Sequence, residues 1–293
     1  KALAAYTPTE ATAGGPQSIN AAQQKAGGIQ GFGAATAGAT SAASTVGTYV
    51  VGNVDRSQAN TLKIKVGEKE YTLTQGETGT TTGGHEWFAY GNTAHTGTDP
   101  SKGAYVLNSD YVSLAAFTKG EKWQPVDPSV DPGNEDDEWT IPNMEGYGMI
   151  VTGLQTPVDN LPKQTADYHG DYYFAGINPD DGEGTFGASG EFNMTANFET
   201  DKLTGSANVY GESKHTTFDA DISGSQFSGT ATRFSTTGMN GQLAGAFYGP
   251  NAEEIAGVAI GKAQPQQMWT DPANPTTARE IDVSAVFIGE KQP

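Results

Sequence analysis

Eight short runs of strand-forming residues, separated by turns, occupy the C-terminal part of this sequence. Most of the turns are tight, as in Ser223-Gly224-Ser225, and no helical periodicity interrupts the runs. Antiparallel strands in this number predict a closed up-and-down β-barrel, because closure leaves no unpaired strand edge and side chains fill a barrel this narrow. We therefore assign residues 161–293 to an eight-stranded antiparallel β-barrel. The predicted strands are 166–177, 185–199, 203–210, 215–222, 226–234, 243–248, 254–261 and 280–288.

A second group of strand-like runs lies upstream and predicts another β domain over residues 47–160. Apolar and polar residues alternate in 62–66 and 71–73 on either side of Gly67-Glu68, which is typical of a hairpin with one buried face. Glycine, at 39 of 293 residues, and abundant threonine favour strands and turns over helices. The predicted fold class is therefore all-β, with two β domains in tandem.

Two segments differ in composition from these domains. Residues 1–46 consist largely of Gly, Ala, Ser and Thr, which bury too little apolar surface to offset the entropy of ordering the chain. This low-complexity segment is either a flexible stalk or packs on its own domain or on a neighbouring subunit, where it would support self-assembly. Residues 125–142 combine four prolines with six carboxylates and predict a long, exposed acidic loop. A solvated loop is favoured over a calcium site, because the carboxylates lack the ordered spacing of calcium loops.

Charge and composition exclude several functions. The chain carries 34 Asp and Glu against 16 Lys and Arg, and its net charge of −18 repels nucleic acid and anionic lipid. Without cysteine there is no disulfide, thiolate metal site or cysteine nucleophile. The apolar runs are far shorter than the roughly 18 residues that a membrane-spanning helix needs. Because the sequence also lacks the Gly-x-Ser-x-Gly, His-Glu-x-x-His and P-loop motifs, we expect no enzymatic activity.

One segment carries a family resemblance. Residues 240–257, NGQLAGAFYGPNAEEIAG, closely resemble the G-x-F-Y-G-P-x-A-x-E-x-G-G signature of the transferrin-binding protein B-like β-barrel family. Tyr168-His169-Gly170 is similar to the first barrel strand of that family, 285–289 is similar to its closing strand, and 218–227 adds support. The resemblance covers roughly Gln164 to Lys291.

The resemblance implies an eight-stranded barrel behind an N-terminal handle-like domain, as in surface lipoproteins and secreted hemophores of Gram-negative bacteria. Such proteins capture transferrin, lactoferrin, haem proteins or other host ligands, and they commonly work beside an outer-membrane receptor. We therefore expect a non-enzymatic binding protein, located extracellularly or at the outer-membrane surface. The alternative is a structural subunit of an extracellular assembly, a surface layer or filament. The signature itself is assigned to folding, with Gly249-Pro250 turning the chain and Glu253-Glu254 starting the next strand.

Candidate ligand-binding residues lie in the first domain, on a short aromatic strand: His85, Trp87, Phe88, Tyr90 and His95. Haem binding needs axial imidazoles and flat apolar walls, which these residues could supply, and hemophores of the resembling family bind haem in this region. The alternative is a pair of exposed histidines beside a strand with a buried aromatic face. A further pair, Trp123 and Trp139, brackets the acidic loop and is a candidate partner-binding surface. The alternative is that each of these tryptophans fills an end of its β domain. No metal site is predicted.

Overall fold

The computed structural model consists almost entirely of β-strands. Among the described residues the one helix is a single 3-10 turn, Val158–Asn160, and none is long and apolar enough to cross a membrane. The described residues are 9–11, 29–37, 48–49, 52–55, 61–66, 69–80, 86–92, 102–119, 124–125, 139–140, 146–177, 185–209, 215–234, 238–263, 270–271, 274–278 and 281–293.

Residues up to 155 supply the strands of the first domain and of its connection to the barrel. These are β1 (Thr9–Glu10), β2 (Ile29–Ala37), β3 (Thr48–Tyr49), β4 (Gly52–Asp55), β5 (Thr61–Val66), β6 (Lys69–Thr80), β7 (Glu86–Asn92), β8 (Lys102–Asn108), β9 (Val112–Lys119), β10 (Gln124–Pro125), β11 (Trp139–Thr140) and β12 (Gly146–Gln155). The pairing of Val66 with Lys69 confirms the hairpin expected around 67–68.

The handle-like first domain is a sheet that returns on itself. Strands β4 to β9 pair in sequence order, β12 pairs with β9 and with β2, and β2 pairs with β4. Part of the low-complexity N-terminal segment therefore belongs to this sheet, since β2 lies within residues 1–46. A strand that is mostly Gly, Ala and Thr, with Ile29, Gln30 and Phe32, can form there because backbone groups supply its hydrogen bonds.

The second domain follows the 3-10 turn. Its strands are β13 (Thr165–Ile177), β14 (Thr185–Asn197), β15 (Lys202–Ala207), β16 (Thr216–Ser223), β17 (Gln226–Arg233), β18 (Met239–Tyr248), β19 (Glu254–Ala263), β20 (Thr270–Asp271), β21 (Asn274–Ala278) and β22 (Ile281–Lys291). Strands β13 to β19 pair antiparallel in sequence order, and β22 closes the ring by pairing with both β19 and β13. The predicted eight-stranded barrel is confirmed.

Strand β18 begins earlier than its composition suggested, at Met239 rather than 243. Gly241, which lies before the predicted start of the strand, pairs with Gly261 on the neighbouring strand. A Cβ atom at Gly241 would collide with the carbonyl oxygen of Ile260, so glycine permits the close approach of the two strands.

Aromatic side chains fill the barrel interior. The ring of Phe247 lies 4.9 Å from Phe198 and 5.5 Å from Phe227, and Phe287 lies 5.3 Å from Phe192, between ring centroids. The same cluster also contains the buried residues Tyr168, Tyr172, Phe174, Met194, Leu203, Phe218, Met239, Leu243, Ile255 and Val283. The barrel is thus a packed core, as expected for eight strands.

A second apolar cluster joins the outside of the barrel to the outside of the first domain. We call it the joint cluster; its barrel members come from the outward faces of β18, β19 and β22, which are therefore apolar on both faces. Strand β12 connects the domains covalently, and its Gln155 pairs with Tyr248 of the barrel. Buried members of the joint cluster are Ala11, Leu107, Tyr111, Val112, Leu114, Met149, Val151, Leu154, Ala244, Ala246, Tyr248, Ala256, Val258, Ile260, Val286 and Ile288.

Candidate functional site

The two ends of the barrel differ in how their strands are connected. At one end, which we call the tight end, β14 to β15, β16 to β17 and β18 to β19 are joined by short turns. Asp201, Gly224 and Gly249 have positive φ values of 54°, 60° and 86° in these turns. At the opposite end, the loop end, the strands are joined by 178–184, 208–215, 234–238 and 264–280. Sequence can vary most freely at the loop end, because a folded scaffold already fixes the strand ends there.

The side chains of Tyr172, Phe174 and His215 lie together inside the barrel near its loop end. His215 is buried, and its imidazole lies 4.9 Å edge-on from the ring of Phe174 and 6.2 Å from Tyr172. Burial raises the pKa of the Tyr172 hydroxyl, so this phenol is neutral at physiological pH. Phe234 follows β17 and is 63% exposed, although its backbone N–H donates to the carbonyl of His215 at 3.1 Å.

At the tight end, an open groove of about 460 Å³ runs between the start of β13 and the C-terminal residues. Lys163 and Lys291 line it, and the Lys291 ammonium donates to the carbonyl oxygen of Asn251 at 2.8 Å. No group of three or more His, Asp or Glu side chains among the described residues could hold a metal ion. The groove is a shallow surface feature, with no buried polar group that would mark a binding site.

Three of the five predicted ligand-binding residues, Trp87, Phe88 and Tyr90, lie on strand β7. Tyr90 is 1% exposed and lies in the apolar core of the first domain, and Phe88 packs partly buried against the same core. The two residues share a face because side chains alternate along a strand. The backbone of Trp87 pairs with Leu107, while His85 and His95 lie outside the described residues.

The two histidines also flank opposite ends of one strand. His85 precedes Glu86 and His95 follows Asn92, and β7 separates those two residues by about 20 Å at the usual rise per residue. A haem held by both imidazoles would require the chain after Asn92 to return along the strand. The set His85, Trp87, Phe88, Tyr90 and His95 therefore stays a prediction, with Tyr90 contributing to the domain core.

The acidic loop has a paired stem. Pro125 pairs with Trp139, and Gln124 with Thr140, so the two ends of the loop leave the domain side by side. Residues 126–138 and Trp123 lie outside the described residues. Trp123 and Trp139 as a partner-binding pair stay a prediction.

One polar contact that was not predicted joins Glu254 of the signature to the turn from β8 to β9. The carboxylate accepts hydrogen bonds from the Ser109 hydroxyl at 2.6 Å and from the backbone N–H groups of Asp110 and Tyr111 at 3.0 and 3.1 Å. The sequence carries one signal for this contact. Glu254 is a charged residue at the start of an outward-facing series that continues with the apolar residues Ala256 and Val258.

Other residues of the signature make contacts within the barrel domain. Glu253 accepts hydrogen bonds from the backbone and side-chain nitrogens of Asn251 at 2.7 and 2.9 Å, which fixes the β18 to β19 turn. The Tyr168 hydroxyl donates to the carbonyl of Ala252 at 3.0 Å from inside the barrel. These contacts give the signature a structural role.

Residues 161–291 match the family described as C-lobe and N-lobe beta barrels of Tf-binding protein B. The second domain is a transferrin-binding protein B-like barrel. This confirms the resemblance carried by residues 240–257 for the barrel. No curated protein sequence matches the chain.

Solved structures with a similar fold include intact Ap-TbpB with its N and C lobes, at 16% identity and a TM-score of 0.49, over 89% of this chain and 46% of that one. A surface lipoprotein matches at 17% identity and a TM-score of 0.43, over 89% of this chain and 98% of that one. Isotype 1 TbpB from serogroup B Neisseria meningitidis matches at 15% identity and a TM-score of 0.46, over 83% of this chain and 52% of that one. The chain spans about half the length of intact Ap-TbpB.

Proposed function

We propose that this protein is a non-enzymatic ligand-capture protein, displayed on the outer-membrane surface of a Gram-negative bacterium or released from it. The family of its barrel domain is one of binding proteins. A protein ligand suits the barrel better than a small molecule does, because aromatic side chains occupy the interior where a small ligand would otherwise sit. This filled interior is the observation that carries the proposal.

The proposed contact surface is the loop end. Tight turns occupy the other end, and the joint cluster covers the outer face of β18, β19 and β22, whereas the longer connections of the loop end can diversify without disturbing the strands. Because the family that the barrel matches is described as barrels of Tf-binding protein B, a host iron-carrying protein is the first ligand to test. An outer-membrane receptor is a second partner of the same proposal.

A haem site in the first domain is a subsidiary proposal. It rests on His85 and His95 with the aromatic residues Trp87 and Phe88, and Tyr90 would support it from the core. Titration with hemin should give a sharp Soret band that is lost in His85→Ala or His95→Ala and retained in His169→Ala and His215→Ala. An unchanged hemin spectrum in the intact protein would remove haem and leave protein capture as the function.

The protein-capture proposal is tested with two matched surface variants. Phe234 and Val158 are both large, apolar and exposed, at 63% and 56%, but they lie at the loop end and beside the Gly224 turn of the tight end, respectively. With the chain immobilised, we expect saturable retention of iron-loaded transferrin or another serum protein, weakened by Phe234→Asp and unaffected by Val158→Asp. Retention of no serum protein by the intact chain, or weakening only by Val158→Asp, would contradict the proposal.

A further inference from the structure

The Glu254 carboxylate occupies an unusual position for a charged group. It is 4% exposed and lies at the edge of the apolar joint cluster, and its hydrogen-bond donors are the neutral groups of Ser109, Asp110 and Tyr111. Within the described part of the chain, no Lys, Arg or His forms an ion pair with it. A buried carboxylate without a cation is costly unless it takes up a proton.

The charged groups around Glu254 do not compensate its charge. Asp110 lies in the turn that donates to it, and Glu253 precedes it. Glu290 is directly opposite on β22, and the phenol of Tyr248 is directly opposite on β18. The Lys291 ammonium donates to the Asn251 carbonyl instead. Tyr111 is a neutral phenol whose pKa is raised, mainly by burial. The surroundings of Glu254 are therefore acidic or neutral, and they favour the protonated carboxyl.

We propose that Glu254 is a pH-responsive latch between the two domains, which holds the β8 to β9 turn of the first domain against the barrel more tightly when its carboxyl carries a proton. The hydroxyl of Ser109 can accept that proton's hydrogen bond, because it can rotate and donate to the carbonyl of Val112, 3.3 Å away. The backbone N–H groups of Asp110 and Tyr111 keep their oxygen acceptors. The neutral carboxyl thus fits the joint with only a rotation of the Ser109 hydroxyl.

The direction of the effect follows from proton linkage. Burial raises the pKa of Glu254 to about 7 in the docked joint, from 4.5 for an exposed carboxyl, despite the three hydrogen bonds that act in the opposite direction. The docked joint therefore binds the proton more tightly than the separated surfaces do. Its extra stability is complete below pH 4.5 and is lost as the pH rises through 7. Between pH 8 and pH 5.5, docking should strengthen by about 30-fold.

Amide hydrogen exchange of the intact chain tests the latch directly, because the Asp110 and Tyr111 amides are themselves the donors. After correction for intrinsic exchange, their protection factors should be about 30-fold higher at pH 5.5 than at pH 8. The Phe247 amide donates to the carbonyl oxygen of Ser225 within the barrel at 2.8 Å, and it serves as the internal reference. Equal protection at the two pH values relative to this reference, or greater protection at pH 8, would overturn the proposal.

Two charge-removing variants separate the latch from general charge effects. Glu254→Gln should abolish the pH dependence of protection at Asp110 and Tyr111. Glu290→Gln removes an exposed carboxylate directly opposite Glu254 and should leave that pH dependence in place. A Glu254→Gln protein with the wild-type pH dependence would contradict the assignment. If Glu254→Gln fails to fold, the comparison of the wild-type protein at the two pH values decides the question by itself.

Discussion

At the scale of single residues, the signature positions act through burial rather than through exposed chemistry. Phe247 is fully buried, and its ring contacts Tyr168, Phe198 and Phe227 inside the barrel. We expect Phe247→Ala to lower the free energy of unfolding by about 3 to 5 kcal/mol, because the truncation leaves a cavity in a core that cannot collapse. Phe234→Ala is the matched control, since its ring is exposed, and should change stability by less than about 0.5 kcal/mol. Urea unfolding measures both; equal effects would contradict the assignment of Phe247 to the core.

At the scale of elements, the strands of the barrel could be predicted because each lies between recognisable turn residues and alternates inward and outward side chains. The joint could not be predicted, since outward residues such as Ala256, Val258 and Ile288 read as an ordinary buried run and nothing local indicates which surface covers them. The Glu254 contact was missed for the same reason, because its donors lie more than 140 residues away in the chain. Strand β2 escaped prediction because its Gly and Ala residues carry no strand pattern.

The acidic loop, residues 125–142, is predicted to bind no calcium. Its stem is two residues long on each side, and the carboxylates in 127–138 lack the spacing of a calcium loop. Millimolar calcium should therefore leave the melting temperature almost unchanged in a thermal unfolding scan. A rise of several degrees that EDTA reverses would instead indicate a cation site in this loop.

At the scale of the whole molecule, the two domains share the joint cluster, but the strand pairing of the barrel does not depend on the first domain. The barrel closes on itself without the first domain, so a fragment covering 164–293 should fold with a strand-rich circular dichroism spectrum and a cooperative melt. It should also self-associate, because removal of the first domain exposes Ala256, Val258, Val286 and Ile288 as an apolar patch. Val258→Lys with Ile288→Glu should restore a monomer by light scattering. An unfolded or helical fragment would contradict the independent barrel.

The central claim, that the barrel captures a protein ligand with its loop end, is tested most directly by site-specific crosslinking. A photo-crosslinking amino acid is placed at position 234 or at position 158, two exposed sites on the loop end and beside the tight end. After exposure to host serum and illumination, we predict one discrete adduct with a serum protein from position 234 and none from position 158. An adduct only from position 158, or the absence of any adduct together with open-ended oligomers of the chain itself, would contradict the claim.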